Sequence, residues 1–157
     1  MPLEPQMHGG ASTTLYRSGT PALGLAAATA FSLELACAGR EERCAIVRRH
    51  SARLRKALSA YPAVRINSPE GAVPHILNLS VKNVKGTVFQ RALSERGVCV
   101  SVKSACSADG LPSRAVFAVS RDRRNALSSW RISLSHLTTD AEIDEFLAIF
   151  DECYHEL

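Results

Sequence analysis

Hydrophobic and polar residues follow a helical spacing near the start of the chain, which predicts two consecutive helices. Residues 21–38 are rich in alanine and leucine, Thr20 suits the N-cap position before them, and Pro21 suits a first helical turn. Gly39 breaks or kinks this stretch, and a second helix follows in which apolar residues recur at helical spacing as far as Leu58. The other face of this second helix is basic, which is typical of a solvated surface, and it carries Arg48, Arg49, Arg53, Arg55 and Lys56.

The pattern changes in the middle of the chain to the alternation that is typical of β-strands. Strands are predicted, in chain order, at residues 64–66, 76–81, 98–102 and 130–135. Short helices are predicted at residues 87–96, closed by Gly97, and at residues 111–119. Helices beside a small, mostly antiparallel sheet indicate an α+β domain.

The last helix is predicted to begin after Thr138 or Thr139. Thr139 and Glu142 have the spacing of a capping box, in which each side chain bonds to the other residue's backbone N–H group. The apolar residues of this helix form an inner face that is expected to pack on the sheet, and they are Ile143, Phe146, Leu147, Ile149 and Phe150.

Composition and charge exclude several classes of protein. A chain of 157 residues provides one ordinary domain or one piece of a larger enzyme, and 46% hydrophobic with 22% charged residues excludes wholesale disorder. The net charge is +4, but the basic residues are scattered and aromatic residues are only 6%, which disfavours a nucleic-acid groove. The start of the chain lacks a signal-peptide pattern, and residues 21–38 are too poor in large apolar side chains to span a membrane. We expect a cytoplasmic protein that binds neither nucleic acid nor membrane.

Cys106 is the strongest candidate for a reactive group. The five cysteines contain no Cys-x-x-Cys pair and their number is odd, which favours free thiols in a reducing compartment. Cys106 lies in a loop of small and polar residues after a predicted strand, and Lys103 three positions earlier would favour its thiolate form. The alternative is a loop cysteine without a function. The five histidines lack the spacing of metal ligands, so no metal site is predicted.

Arg131 and Thr20 are candidates for binding anions. Arg131 begins an apolar strand, where a guanidinium group is costly to bury without an anion and is suited to bidentate binding of a carboxylate. The alternative for Arg131 is an arginine on an edge strand that reaches solvent. Thr20 offers a hydroxyl group at a helix start, which suits a phosphate oxygen, although capping of the helix is the simpler interpretation.

Five short motifs occur in a fixed order and extend over nearly the whole chain. They are Gln6-Met7-His8-Gly9-Gly10, Arg17-Ser18-Gly19-Thr20, Ile76-Leu77-Asn78-Leu79-Ser80, Ser104-Ala105-Cys106, and Arg131-Ile132-Ser133-Leu134 followed by Thr138-Thr139. Each motif is weak alone. In this order they resemble the C-terminal part of the NifS/IscS-type cysteine desulfurases, which belong to the class V aminotransferase superfamily.

The resemblance implies a chemistry and a fold. Enzymes of this family use pyridoxal phosphate to remove sulfur from L-cysteine and release alanine, and a loop cysteine carries the sulfur as a persulfide to iron–sulfur cluster assembly or tRNA thiolation. Cys106 would be this nucleophile, Arg131 would bind the substrate carboxylate, and Thr20 would contact the cofactor phosphate across a dimer interface. The implied fold is the small C-terminal α+β domain of a fold-type I pyridoxal-phosphate enzyme at residues 21–157, preceded by a remnant of the large cofactor domain and an interface loop at residues 1–20.

The chain departs from the family pattern in three places. The Schiff-base lysine of the family lies upstream of the segment that matches Gln6-Met7-His8-Gly9-Gly10, so these residues do not include it. Lys103 stands where the family usually has a glycine, and residues 11–13, with the sequence Ala-Ser-Thr, replace Gly-(His/Gln)-Glu. We therefore expect the isolated chain to be inactive.

Two functions follow from the resemblance and its departures. The first is the C-terminal portion of a cysteine desulfurase, with L-cysteine as substrate, a homodimer or a complementing large-domain chain, and a sulfur-acceptor protein. The alternative is a non-catalytic, desulfurase-like module that pairs with a full-length desulfurase or with a sulfur acceptor. A third interpretation, a basic nucleic-acid-binding protein, rests on charge alone.

Overall fold

The computed structural model describes residues 3–10, 14, 16–103 and 111–157. Over these residues the chain forms six helices and three strands. They are α1 (Leu23–Ala38), α2 (Arg40–Leu58), β1 (Val64–Ile66), β2 (Ile76–Val81), α3 (Gly86–Glu95), α4 (Arg114–Ser120), α5 (Arg123–Ser128), β3 (Ser129–Ser133) and α6 (Asp140–Glu156). The chain divides into two compact units, Met1–Arg40 and Glu41–Leu157.

The sheet of the second unit is antiparallel, with the strand order β1-β2-β3. Alternation along the strands gives it one apolar face and one polar face. The apolar face is buried and carries Leu77, Leu79, Val81, Trp130 and Ile132. The polar face carries Asn78 and Ser80 from β2 opposite Arg131 and Ser129 from β3.

The apolar face packs against helices to form the core of the second unit. Phe89 of α3 stacks on Trp130 with ring centroids 5.3 Å apart, and Phe150 of α6 packs against Phe89 at the same distance. Helix α3 approaches β3 so closely that a Cβ atom on Gly86 would lie 2.5 Å from the backbone carbonyl oxygen of Ser129. The first unit differs from the second in burial, because none of the residues of its helix α1 is buried.

Most of the predicted elements are confirmed, and so is the α+β class. The capping box of α6 forms as predicted: the Thr139 hydroxyl accepts from the Glu142 N–H group at 3.2 Å, and the Glu142 carboxylate accepts from the Thr139 N–H group at 2.7 Å. These bonds from Thr139 hold the pKa of Glu142 below its usual value. Gly97, with φ +82°, follows α3 in the left-handed conformation that favours glycine.

Two structural predictions were wrong in detail, and one helix was missed. Thr20 does not cap α1, because the helix begins at Leu23 and its N-cap residue is Ala22, without a side-chain bond. Residues 98–102 do not form a strand, since their alternation produces one bridge, Ser101 to Arg131, and a ladder needs repeated pairing. The short helix α5 was not predicted.

The structure also bears on membrane insertion. Within the described ranges, none of the helices combines the length and the apolar character that a bilayer crossing requires.

Candidate functional site

A cavity of about 820 Å³ lies in the second unit, beside the polar face of the sheet. Helix α4 contributes one wall, and the segment that follows β1 contributes another. The residues that line it include Asn67, Ser68, Asn78, Ser101, Val102, Lys103, Ser113, Arg114 and Arg131.

Arg131 is held at this cavity by backbone bonds on the outer edge of β3. Its N–H group donates to the Ser101 carbonyl oxygen at 2.7 Å, and its own carbonyl oxygen accepts from the Ser101 N–H group at 3.1 Å. The Nε atom of its guanidinium group is buried and has no hydrogen-bond partner within the described part of the chain. An unpaired cation in this position is suited to bind an anion.

The charge around the cavity is positive. Among the described residues that line it there are four cations, Arg65, Lys103, Arg114 and Arg131, and no acidic side chain. The Asp122 carboxylate lies 3.6 Å from Arg65, and both side chains are about half exposed, so this ion pair is screened by solvent. A small carboxylate would be attracted to the cavity.

A network of amide side chains supports the polar face beneath Arg131. The Asn67 Nδ2 group donates to the Asn78 Oδ1 atom at 2.9 Å and to the Ser80 Oγ atom at 2.8 Å. The Asn125 Nδ2 group donates to the Asn67 Oδ1 atom at 2.9 Å. This network was not predicted from the sequence, because it joins three separate segments; the available signal was the polar residues Asn78 and Ser80 set within an apolar strand.

The predicted nucleophile, Cys106, lies outside the described residues. Lys103, three positions before it, lines the cavity together with Arg131. The other four cysteines are described: Cys37 and Cys99 are exposed, Cys44 is half-buried, and Cys153 is buried. Burial raises the pKa of the Cys153 thiol, which makes this cysteine unreactive.

Thr20, the predicted phosphate contact, lies in the first unit. It is exposed. The preceding turn is tightly packed: the Ser18 hydroxyl donates to the His8 carbonyl oxygen at 3.0 Å, and Gly19 has φ +101°. A Cβ atom on Gly9 would come within 2.8 Å of the Ser18 side chain.

The basic face of α2 is largely engaged within the chain. Arg49 bonds to Asp140 at 3.1 Å, and Arg53 bonds to Asp144. Arg55 donates to the Ser68 carbonyl oxygen at 2.9 Å. These side chains therefore have partners within the chain, as expected for a solvated helix surface.

A second cavity, of about 390 Å³, lies beside β1. It is also lined by cations, namely Arg65, Lys82 and Arg124, together with the carboxylate of Asp122. In the described part of the chain, no group of three or more His, Cys, Asp or Glu residues is arranged to hold a metal ion.

Comparison with known proteins shows a consistent similarity. The family described as aminotransferase class-V matches residues 6–146. The chain is 37% identical over 147 residues to the protein of Azotobacter vinelandii named cysteine desulfurase IscS, with 90% of this chain covered. It is 30% identical over 155 residues to a NifS/IcsS protein homolog of Lactobacillus delbrueckii subsp. bulgaricus, with 97% covered.

Solved structures show the same similarity in three dimensions. The fold matches a NIFS-like protein with a TM-score of 0.81 at 28% identity, over 100% of this chain. It also matches a NifS-like protein from Rickettsia africae with a TM-score of 0.78 at 26% identity, over 96% of this chain. The chain spans 35–40% of the length of these four proteins.

Proposed function

Because the chain belongs to the aminotransferase class-V family and is similar over most of its length to NifS- and IscS-type cysteine desulfurases, we propose that it is the C-terminal part of a pyridoxal-phosphate-dependent cysteine desulfurase. The complete enzyme takes sulfur from L-cysteine, releases alanine, and passes the sulfur to an acceptor protein in the cytoplasm. The 157 residues alone are inactive in this proposal.

Arg131 is the observation that carries the proposal. It places an unpaired guanidinium group at a cavity whose described lining is otherwise neutral or cationic. L-Cysteine presents a carboxylate, and a guanidinium group binds a carboxylate through two parallel hydrogen bonds. In this role Arg131 orients the amino acid and does not take part in bond breaking.

Cys106 is the proposed sulfur acceptor within the enzyme. Its thiolate attacks the sulfur of bound L-cysteine, the carbon–sulfur bond of the substrate breaks, and a sulfur–sulfur bond forms on Cys106 as a persulfide. The substrate carbon takes a proton and leaves as alanine. The positive charge of Lys103, three residues away in sequence, favours the thiolate over the thiol.

The cofactor contact that we propose for this chain is Thr20. Its exposed hydroxyl follows a tight turn and suits a phosphate oxygen, in a homodimer or in a complex with a complementing large-domain chain. When bound, pyridoxal phosphate supplies an electron sink next to the substrate α-carbon. The lysine that anchors it lies outside these residues in our proposal, since Lys82, Lys85 and Lys103 do not stand in the family's lysine context.

A persulfide-trapping experiment tests the proposal. The chain is incubated with an active cysteine desulfurase and L-cysteine, alkylated, and mapped by mass spectrometry. We expect a persulfide on Cys106, which disappears in Cys106→Ser. The Cys99→Ser variant is the matched control, because Cys99 is exposed and has no proposed role; it should keep the label.

A different outcome would favour the second candidate, a non-catalytic interaction module. The observation behind it is Lys103, which lines the cavity where similar enzymes usually have glycine. A chain that binds the active desulfurase but carries no persulfide on Cys106 would favour this module. Release of alanine from L-cysteine by the chain with pyridoxal phosphate alone would contradict its proposed inactivity.

A further inference from the structure

Asn78 lies directly across the sheet from Arg131. The N–H and C=O groups of Arg131 both bond to Ser101, on the side away from β2. Those of Asn78 also point away from β3, because its N–H group donates to the Ser68 hydroxyl and its carbonyl oxygen accepts from the Asn67 N–H group. The two residues therefore form a non-hydrogen-bonded pair, in which side chains approach most closely, with Cβ atoms about 4.5–5.5 Å apart.

The orientation of the Asn67 amide follows from counting protons, starting at Ser80. Ser80 has one hydroxyl proton, and it is donated to the Asn125 carbonyl oxygen at 3.1 Å. The Ser80 oxygen must therefore accept from the group 2.8 Å away on Asn67, which has to be its NH2 group. The Asn67 oxygen then faces the Asn125 NH2 group, as the 2.9 Å bond requires.

The orientation of Asn78 follows in turn. The second N–H of Asn67 points at the Asn78 amide, so the Asn78 atom 2.9 Å away must be its oxygen. The reverse orientation would bring two NH2 groups together. The Asn78 NH2 group is thereby turned away from Asn67, and within the described ranges it has no acceptor, although Asn78 lines the same cavity as Arg131.

We propose that the Asn78 NH2 group donates a hydrogen bond to the carboxylate that Arg131 binds. Asn67 and Asn125 are positioning residues, which hold the Asn78 amide with its donor toward the cavity. The proposal rests on the proposed function, because the carboxylate is that of the amino-acid substrate or product. It adds a second donor beside the guanidinium group, so that the cavity recognises a carboxylate rather than a single negative charge.

The test is an NMR titration of the ¹⁵N-labelled 157-residue chain with L-alanine, using ethylamine as the control that lacks a carboxylate. We expect the Asn78 side-chain NH2 signals to shift together with the buried Nε–H signal of Arg131 as L-alanine is added. Ethylamine should shift neither signal. The Asn67 NH2 signals should stay in place, because both protons are already bonded.

Two variants isolate the donor and its positioning. Asn78→Ala removes the donor without adding a charge beside Arg131, and we expect L-alanine to bind roughly 10-fold or more weakly. Asn67→Asp replaces the NH2 group by an acceptor, so the Asn78 amide should reverse and its NH2 signals should no longer respond to L-alanine. Asn83→Ala and Asn83→Asp are the matched controls, because Asn83 is exposed and lies outside this cavity; binding should be unchanged.

The outcomes separate this inference from the proposed function. If the Arg131 signal responds to L-alanine but the Asn78 signals do not, the Asn78 contact is overturned and the carboxylate site stands. If neither responds up to the solubility limit of L-alanine, the carboxylate site itself is overturned, and the Asn78 contact with it. Equal binding by Asn78→Ala and the unchanged chain would also overturn the contact.

Discussion

Helices α1 and α6 have nearly the same length, 16 and 17 residues, but opposite relations to a core. Helix α1 is alanine-rich and carries one charged residue, Glu34, yet none of its residues is buried. Helix α6 carries many charged residues, yet it buries Ile143, Phe146, Phe150 and Cys153. The difference lies in what the described residues place beside each helix: α6 presents an apolar stripe that packs into the core of the second unit, whereas no described segment buries any residue of α1.

Replacing a phenylalanine by alanine should reveal the largest difference between the two helices in their contribution to the free energy of unfolding. Phe150 of α6 is fully buried among aromatic rings, whereas Phe31 of α1 is 62% exposed. Phe150→Ala should lower the free energy of unfolding by about 3–5 kcal/mol, because it leaves a cavity. Phe31→Ala should change it by no more than about 0.5 kcal/mol. Urea unfolding followed by the fluorescence of Trp130, the single tryptophan, measures both, and equal losses would contradict the comparison.

The second-largest difference should be in the rates at which the cysteine thiols of the two helices are alkylated. Cys37 at the end of α1 is exposed, whereas Cys153 of α6 is buried, and burial raises the pKa of its thiol. Because only an opened and deprotonated thiol reacts, Cys37 should be alkylated roughly 100-fold faster than Cys153 at neutral pH. Mass spectrometry after timed treatment with iodoacetamide measures the rates. The two should converge in denaturant; convergence in native buffer would show that α6 opens readily.

Gly86 of α3 and Gly24 of α1 provide a third matched pair of substitutions. A Cβ atom on Gly86 would lie 2.5 Å from the Ser129 carbonyl oxygen, whereas one on Gly24 in α1 would meet nothing within 4 Å. Gly86→Ala should therefore destabilise the second unit by about 1–3 kcal/mol, because backbone must move. Gly24→Ala should stabilise α1 by up to about 1 kcal/mol, because alanine favours helix. Tryptophan fluorescence reports the first change and far-ultraviolet circular dichroism the second; a stable Gly86→Ala variant would contradict the close approach.

Much of the fold could be predicted because it depends on local patterns. The apolar alternation of β2 and the helical spacing of α6 each specify an element and the face that it buries. Helix α5 was missed because it is short and polar, although Asp122 and Asn125 carry its capping signal: the Asp122 carboxylate accepts from the Asn125 N–H group at 3.0 Å. The alternation of residues 98–102 wrongly predicted a strand. A strand forms only where a neighbouring segment supplies repeated backbone pairing, and that pairing is not encoded in the local sequence.

The site could be predicted only where one residue carries its own chemical signal. Arg131 could be selected as a candidate because an arginine among apolar strand residues is costly to bury without an anion, and the structure places it at the cavity. Asn67, Asn78 and Asn125 were not, because their network depends on the register of β1 and β2 and on the position of α5. A lone asparagine in a sequence does not reveal which way its amide is held.

The smallest expected difference is in the free energy of unfolding that a threonine contributes near the start of each helix. Thr139 caps α6 through both its hydroxyl and its backbone, whereas α1 begins without a side-chain cap and Thr20 takes no part in it. Thr139→Ala should lower the free energy of unfolding by about 1 kcal/mol at neutral pH. Thr20→Ala should leave stability unchanged, although it would weaken the phosphate contact proposed for the complete enzyme.

The pH dependence of this difference separates the capping box from a general effect of the substitution. The bonds from Thr139 hold the pKa of Glu142 below its usual value, so their contribution is present at neutral pH and is lost as the pH falls through that lowered pKa. The gap in unfolding free energy between the unchanged chain and Thr139→Ala should therefore narrow in acid. Urea unfolding at a series of pH values measures it, and a gap that stays constant would mean that the Thr139 hydroxyl does not stabilise the ionised Glu142 carboxylate.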